Sequence, residues 1–301
     1  MKIKLLLVAL FLAFYIGAWH FGRLRSVQKH SGSEAPLNES TFALMSWNIG
    51  YFDYESDSRA QNKDLEAIAA VIGETDAQVI ALQEIAQPEQ LSTLSDLLAS
   101  RYRYHAFARG LRTDRFVAFL SEIPFQEETQ VATSVGRDAL AVTVDVPSQG
   151  VVTLVNCHAD AFNARRRRFY VNDVIDWRRD SGKQPVILAG DFNFDLAPVE
   201  SSDLFTDDKK NDSESYSLIL QDFLDLGRNS GPTSAFDRRI DYVFLSPQGL
   251  EAVEFKVLYG KLVGKMDHHP LLARFRKSEG RSSNVEVRRT KWWGETNQAS
   301  P

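Results

Sequence analysis

Six short polar motifs in this sequence carry residue types that bind a divalent cation, orient a phosphate or move a proton. In order they are Trp47-Asn48, Gln83-Glu84, Asn156-Cys157-His158, Gly190-Asp191-Phe192-Asn193, Ile240-Asp241-Tyr242 and Asp267-His268-His269-Pro270. Each follows or closes an apolar run typical of a β-strand, and a polar side chain at a strand end can project into a cleft. One such motif carries little information. Six together favour a site that hydrolyses a phosphate ester.

Glu84 is a candidate ligand for a hard cation. It follows an apolar run at 79–82. Mg²⁺ prefers oxygen ligands and often uses only one or two protein carboxylates together with substrate phosphate. Taken alone, an exposed acid at a strand end is the commoner explanation, so the assignment depends on the other motifs.

Asp191 and Asn193 form a second candidate pair, two residues apart after an apolar run that ends in Gly190. On a tight turn this spacing can aim both side chains at one centre. An ionised Asp only accepts hydrogen bonds, whereas an Asn amide also donates to a phosphate or a nucleophilic water. An Asx turn that ends the strand is the alternative. The alternation of these polar residues with Phe192 and Phe194 favours the functional interpretation.

His268 is the candidate general base, because histidine titrates near neutral pH and a carboxylate partner fixes its tautomer and raises its basicity. Asp241 is the expected partner, from a strand that ends well before His268. His269 is an alternative base. His158, at the end of another strand, could donate to a phosphate oxygen or a leaving group, although a lone histidine at a strand end is usually structural.

The elements that must position these residues are strands mixed with a few helices. Strand-like runs occur at 41–47, 77–82, 116–120, 139–146, 151–156, 185–189, 240–245 and 271–275, and helical periodicity at 64–73, 90–99 and 165–178. Near-continuous apolar runs indicate sheets covered on both faces, and the mixture predicts α/β or α+β layers. The acidic, serine-rich stretch 200–217 is interpreted as a long surface loop. The arginines at 165–168 are interpreted as a solvated helix face, with a basic patch near the cleft as the alternative.

Composition narrows the class of protein. The chain has 301 residues, a net charge of −5 and one cysteine, Cys157, so an intrachain disulfide and a multi-cysteine metal site are excluded. Residues 1–29 hold five Lys and Arg and no acid, which leaves a charge of −10 on the rest. An acidic catalytic domain weighs against tight binding of duplex DNA.

The chain is divided into four predicted parts. Residues 5–22 contain no charged side chain, so 1–22 is predicted to be a membrane anchor with a single span, and a cleaved signal peptide is the alternative. A linker at 23–40, one domain at 41–276 and a polar tail at 277–301 follow. The domain is expected outside the cytoplasm, either membrane-anchored or secreted after cleavage, and the oligomeric state is left open.

The motifs resemble the endonuclease/exonuclease/phosphatase superfamily. The resemblance rests on SWNIG, LQEI, FVAFLSEIPF, NCHAD, GDFN, RIDYVF and DHHP, of which GDFN and DHHP are the most specific. It implies a four-layer α/β sandwich, with two packed mixed β-sheets flanked by helices and the site at one edge. The roles it implies are metal ligation by Asn48, Glu84 and Asp267, phosphate contact by His158, orientation of nucleophile and phosphate by Asp191 and Asn193, and a His268 base supported by Asp241.

The implied reaction is attack of an activated water on phosphorus, with Mg²⁺ or alternatively Mn²⁺ as the cofactor. The implied substrate is a phosphodiester of nucleic acid, with a phospholipid head group (sphingomyelinase-like or phosphoinositide-type) or a small phosphate ester as alternatives. Gly50 stands where some nucleases of the family carry an acid, which weakens the likeness to abasic-site enzymes. A catalytically silent binding module of the same fold is the alternative from another class.

Overall fold

Twelve β-strands and four α-helices make up the part of the chain that the computed structural model describes, which is residues 41–50, 58–98, 101–111, 115–196 and 207–279, with the backbone alone at 58–62. The helices are α1 (Ser58–Gly73), α2 (Pro88–Leu97), α3 (Ala164–Ser181) and α4 (Lys209–Ile219). The strands are β1 (Phe42–Asn48), β2 (Val79–Ile85), β3 (Tyr104–Ala108), β4 (Phe116–Ser121), β5 (Phe125–Val131), β6 (Ala139–Val146), β7 (Gly150–His158), β8 (Val186–Asp191), β9 (Leu224–Asp225), β10 (Asp241–Leu245), β11 (Leu250–Val257) and β12 (Leu271–Lys277).

The strands form two six-stranded mixed sheets. The first sheet has the order β11-β12-β1-β2-β4-β3, and the second has the order β5-β6-β7-β8-β10-β9. Each contains one parallel pair, β1 with β2 and β7 with β8, among antiparallel neighbours. The predicted architecture of two packed mixed sheets flanked by helices is therefore confirmed.

The alternation of side chains along the strands builds three apolar layers. In β1, Leu44 packs between the two sheets, whereas Met45 packs under α1 and α2 with Leu65. In β8, Ile187 faces the other sheet and Leu188 faces the helices of the second sheet. Both faces of each sheet are covered, which explains why these strands have near-continuous apolar sequences.

A buried pair of amide side chains joins the two sheets beside the motif-bearing strand ends. Gln83 Nε2 donates to Asn156 Oδ1 at 2.7 Å, and Asn156 Nδ2 donates to the carbonyls of Leu82 and Ala118, both at 2.8 Å. The next polar residues of these two motifs are Glu84 and His158. Gln83 and Asn156 thus fix how the first sheet is aligned with the second at this edge.

Two sequence interpretations are wrong in the described residues. The stretch 200–217 is not a loop throughout, because α4 begins at Lys209 after Asp208, which accepts hydrogen bonds from two backbone N–H groups as an N-cap. The arginines at 165–168 are not uniformly solvated, because Arg167 is fully buried against Asp212. A buried ion pair between two helices has no signature in either segment taken alone.

The remaining predictions on secondary structure are confirmed apart from their ends. All eight strand-like runs and three helical runs appear, while the edge strands β3, β5, β9 and β11 were not predicted. Strands β3, β5 and β9 carry little apolar alternation, whereas β11 does alternate at 253–257 and was missed. Among the described residues, no helix is both long and apolar enough to cross a membrane. The predicted anchor at 1–22, the linker at 23–40 and residues 280–301 of the tail lie outside the described residues.

Candidate active site

The polar motifs meet at one edge of the sandwich because of how the strands run. In the second sheet, β7 and β8 are parallel, so His158 and Asp191 are partners at the ends of their strands. Strand β10 is antiparallel to β8, so its first residue, Asp241, lies opposite Asp191 on the other side. Asn48 and Glu84 come from the ends of β1 and β2 in the first sheet. Asp191 is therefore the centre of the group.

His268 is held by a carboxylate on one side and faces the centre on the other. Its Nδ1 lies 2.9 Å from Asp241 Oδ2 and 3.0 Å from Oδ1. Its Nε2 lies 3.8 Å from Asp191 Oδ2 and 3.7 Å from Asp267 Oδ1. The carboxylate selects the tautomer with the proton on Nδ1, so Nε2 is the atom available for proton transfer.

The hydroxyl of Thr233 supports this pair. Thr233 Oγ1 donates to Asp241 Oδ2 at 2.7 Å, and it accepts from the backbone N–H groups of Ile240 and Asp241, both at 3.0 Å. The indole Nε1 of Trp47 donates to the carbonyl of His268 at 3.0 Å. The imidazole is therefore positioned through both its ring and its backbone.

The charges around His268 favour its protonated form. Burial opposes that form, but Asp241 and then Asp191 outweigh burial and hold the pKa of His268 well above its usual range. Burial raises the pKa of Asp191, an effect to which Asp241 adds and which His268 opposes. Burial also raises the pKa of Asp267.

Asp191 and Asn193 lie on a tight turn that fits both interpretations of the sequence, namely an Asx turn that ends the strand and a pair of side chains aimed at one centre. Asp191 Oδ1 accepts from Asn193 N at 2.8 Å, which is an Asx turn, while Oδ2 accepts from Asn48 Nδ2 at 2.9 Å. Asn193 has a φ of +53°, a conformation that asparagine tolerates, and its amide donates to Ala159 O at 3.2 Å. Gly190 precedes the turn with a φ of +139°, and a Cβ there would lie 2.0 Å from Cys157 O.

Glu84 reaches the same centre from the first sheet. Its Oε1 accepts from Asn48 Nδ2 at 3.2 Å and lies 3.4 Å from His158 Nε2. Burial opposes ionisation of Glu84, but the hydrogen bond and the charge of His158 outweigh burial and lower its pKa to about 2. Glu84 is therefore ionised at neutral pH.

Gly50 makes room for the Glu84 side chain. A Cβ at position 50 would lie 2.1 Å from Glu84 Oε2 and 2.9 Å from Glu84 Cβ. Glu84 itself has a φ of +61°, which is unusual for a residue with a side chain. Position 50 is therefore a glycine here, and not an acid as in some nucleases of the family, because Glu84 occupies the volume that an acidic side chain would need.

The predicted site residues converge, with one difference in detail. Two groups have ligand atoms that all lie within 4.8 Å of one another, namely Glu84, His158 and Asp191, and Asp191, Asp241 and His268. Asp267 lies beside His268. Asn48 directs its amide nitrogen at Glu84 and Asp191, while its oxygen accepts from Gly50 N at 3.0 Å. The oxygen that would ligate a cation is thus engaged by the backbone.

Comparison with known proteins agrees with this arrangement. The profile of the Endonuclease/Exonuclease/phosphatase family matches residues 45–263. The chain belongs to this family. A search of curated proteins gives no match to the sequence.

Solved structures with the same fold are similar to this chain at low sequence identity. An endonuclease/exonuclease/phosphatase from Beutenbergia cavernae is 22% identical, with a TM-score of 0.62, over 79% of this chain and 72% of that one. One from Bacteroides vulgatus is 17% identical, with a TM-score of 0.61, over 79% and 100%. The catalytic domain of human Nocturnin, solved with a bound sulfate anion, is 16% identical, with a TM-score of 0.59, over 80% and 95%.

Members of the endonuclease/exonuclease/phosphatase family hydrolyse phosphate esters, and the family typically uses a divalent metal. The donor set of this member fits such a cation. Four carboxylates, those of Glu84, Asp191, Asp241 and Asp267, surround the two histidines, and in the described part of the chain the nearest guanidinium paired with Glu84 is that of Arg115 at 4.0 Å. Carboxylate oxygens are the ligands of hard cations such as Mg²⁺.

The roles of three residues that support the site were not predicted from the sequence. Thr233 binds Asp241, Tyr170 accepts a hydrogen bond from the backbone N–H of His158 at 2.9 Å, and Trp47 anchors His268. Trp47 did lie within a motif, but its role depends on a contact 221 residues away. Thr233 and Tyr170 lie outside every motif and carry no signal in sequence.

Proposed function

We propose that this chain is a divalent-metal-dependent phosphoesterase that hydrolyses a phosphodiester by attack of water, with His268 as the general base. The observation that carries the proposal is the orientation of His268. Its Nδ1 is fixed by the Asp241 carboxylate, and its Nε2 faces Asp191 and Asp267. A base needs this arrangement, in which one nitrogen is held and the other is free to accept a proton.

In the proposed reaction, His268 Nε2 accepts a proton from the water that attacks phosphorus, and Asp241 stabilises the imidazolium through Nδ1–H. The bond from phosphorus to the leaving oxygen then breaks. His158 Nε2, which faces the same centre, donates to a phosphoryl oxygen or to the leaving oxygen. Asp191 and Asn193 orient the water and the phosphoryl group. Fixed donors and charges of this kind stabilise the charge that develops in the transition state.

Glu84, Asp191 and Asp267 are the residues proposed to hold the cation, with Asn48 joining them if its amide rotates. When bound, Mg²⁺ or Mn²⁺ would polarise a phosphoryl oxygen and, by offsetting the carboxylate charge, would lower the pKa of His268 toward the range of a base. The excess of carboxylates over cationic side chains supports this assignment.

Nucleic acid is the first candidate substrate, as in the nucleases of the family. A lipid phosphodiester is the second. Phe162, four residues after His158 on the loop that follows β7, is 70% exposed, so this loop presents an apolar side chain to solvent. The predicted membrane anchor and the acidic charge of the domain support the lipid alternative.

One preparation of the purified chain tests the proposal on several substrates in parallel. We expect hydrolysis of bis-p-nitrophenyl phosphate with Mg²⁺ and its loss on addition of EDTA. Plasmid DNA, RNA, sphingomyelin and phosphoinositides then distinguish a nuclease from a lipid phosphodiesterase. A folded protein that hydrolyses none of them with Mg²⁺ or Mn²⁺ would support a silent binding module instead.

A further inference from the structure

Two largely buried ion pairs connect the start of α4 to the two loops that border the site, which are the loop after β7 and the loop before β10. Arg167 donates from Nε and Nη2 to the two oxygens of Asp212, both at 3.0 Å. Arg238 donates from Nη1 to Asp207 Oδ2 at 2.7 Å and from Nη2 to the other oxygen. The four side chains are at most 11% exposed. Forked pairs of this kind fix orientation as well as distance.

Arg167 extends from its ion pair to the loop that follows β7. Its Nη1 donates to the carbonyls of Asp160 at 3.1 Å and Ala161 at 3.4 Å. Ala159, the residue before them, accepts from the Asn193 amide and follows His158 directly. Arg167 therefore holds the backbone that connects the phosphate-contacting candidates His158 and Asn193.

Arg238 performs the equivalent role for the loop before β10. Its carbonyl accepts from Thr233 N at 2.8 Å and from Ser234 N at 3.0 Å, which folds the loop back on itself. This fold places the Thr233 hydroxyl on Asp241 and hence supports His268. The guanidinium of Arg238 fixes the loop to Asp207.

The two carboxylates are themselves joined. The backbone N–H of Asp208 donates to Asp212 Oδ2 at 3.0 Å, and Asp207 is its neighbour in the chain. The Asp208 carboxylate caps α4 by accepting from Lys210 N and Asn211 N. A series of polar contacts, joined by the peptide bond between Asp207 and Asp208, thus runs from the loop after β7, through the start of α4, to the loop before β10.

We propose that four residues form one brace, namely Arg167, Asp212, Asp207 and Arg238. The brace sets the distance between the loop after β7, which adjoins His158, and the loop before β10, which supports His268 through Asp241. They are positioning residues, because they act on the reacting groups through the two loops. The kinetic consequence rests on the proposed function, whereas the structural coupling of the two loops does not.

The test uses Arg167→Lys, Arg238→Lys and the double variant. Lysine keeps the charge but loses the forked geometry. We expect each single change to lower kcat roughly 10-fold with little change in KM, since small misplacement of reacting groups slows the chemical step. The double variant should fall little further, because either change opens the same brace. A fall near 100-fold, the product of the two, would mean that the pairs act independently and would overturn the proposal.

Arg168→Lys is the matched control. Arg168 pairs with Glu214 and also connects α3 to α4, but on the exposed surface and without reaching either loop. We expect its kcat to stay within about twofold of the wild type, as for other exposed ion pairs. A 10-fold fall in this control would mean that any contact between the two helices matters, and the brace would not be specific.

Amide hydrogen exchange separates the failure of the brace from the failure of the proposed function. Arg167→Lys should speed exchange both in the nearby loop 159–163 and in the distant loop 233–239, and Arg238→Lys should do the same from the other end. Exchange that rises only next to the substituted residue would overturn the brace. An inactive wild type with coupled exchange would instead overturn the proposed function and leave the brace standing.

Discussion

The two sides of Asp191 differ in how firmly their side chains are held. On the side of the proposed base, Thr233 Oγ1 lies 2.7 Å from Asp241 Oδ2, which in turn lies 2.9 Å from His268 Nδ1. On the other side, Glu84 meets Asn48 at 3.2 Å and His158 at 3.4 Å. The Glu84 side chain is 20% exposed, against 4% for Asp241. The proposed base is thus held firmly by its neighbours, whereas the looser contacts of Glu84 are compatible with its proposed role as a ligand of the cation.

The pKa shifts of His268 and Glu84 have opposite directions, because each group is shifted by neighbours of the opposite charge. Excess carboxylate charge raises the pKa of His268 well above its usual range, while His158 lowers the pKa of Glu84 to about 2. Without a cation the surrounding charges therefore favour both the ionised form of Glu84 and the protonated form of His268. A divalent cation beside Glu84 would disfavour the protonated form of His268, because like charges repel.

Replacing His268 by Ala breaks the base side and has the largest expected effect. Loss of a general base lowers kcat by ~10²–10⁴-fold, and circular dichroism should show the fold retained. His269→Ala is the matched control, because His269 contacts the Tyr259 ring and its pKa is lowered by burial. Turnover that survives the first change and disappears with the second would make His269 the base.

Glu84→Gln breaks the other side and should act on the metal rather than on the proton transfer. The amide keeps the size of the side chain but removes the charge that we propose binds the cation. We expect the Mg²⁺ concentration for half-maximal activity to rise by at least roughly 10–100-fold, since loss of even a residue that only supports a ligand costs that much, and calorimetric titration with Mn²⁺ to show the same weakening. Glu74→Gln, on an exposed carboxylate, serves as the control. Unchanged titrations would exclude Glu84 as a ligand.

Thr233→Val tests whether the base side depends on its support. Valine has a similar shape but no hydroxyl, so Asp241 loses a hydrogen bond of about 1.5–3 kcal/mol, part of which should appear as a fall in kcat of about tenfold. Thr233→Ser restores the hydroxyl and should restore the rate. Because two backbone N–H groups also lose their acceptor, rates must be compared well below the unfolding temperature. A valine variant with wild-type kcat would make this hydroxyl purely structural.

The residues that support the site residues could not be predicted from the sequence, whereas much of the fold and of the candidate site could. The layers could be predicted from apolar strands such as 185–189, and the candidate site residues that lie together in the structure could be predicted from motifs at strand ends, because both are local patterns. Thr233, Tyr170 and the buried Arg167 were not predicted, since their roles depend on partners brought close by folding. The interpretation of 200–217 was wrong for a related reason. From the sequence, Asp212 is expected to be a solvated acid, because its partner Arg167 lies 45 residues away and meets it only in the folded chain.

The side that holds Glu84 can be tested more finely with Gly50→Ala, which has the smallest expected effect. The added methyl group needs the space that the Glu84 carboxylate occupies, so Glu84 must turn away and Mg²⁺ binding should weaken by up to about 10-fold. Because alanine acts only through Glu84, it should add nothing in the Glu84→Gln background, where the charge is already lost. The comparison is therefore a double-mutant cycle read by Mn²⁺ titration. Additive weakening would show that Gly50 contributes by another route, such as the hydrogen bond from its N–H to Asn48. Gly50 would then affect metal binding through Asn48 and not through Glu84.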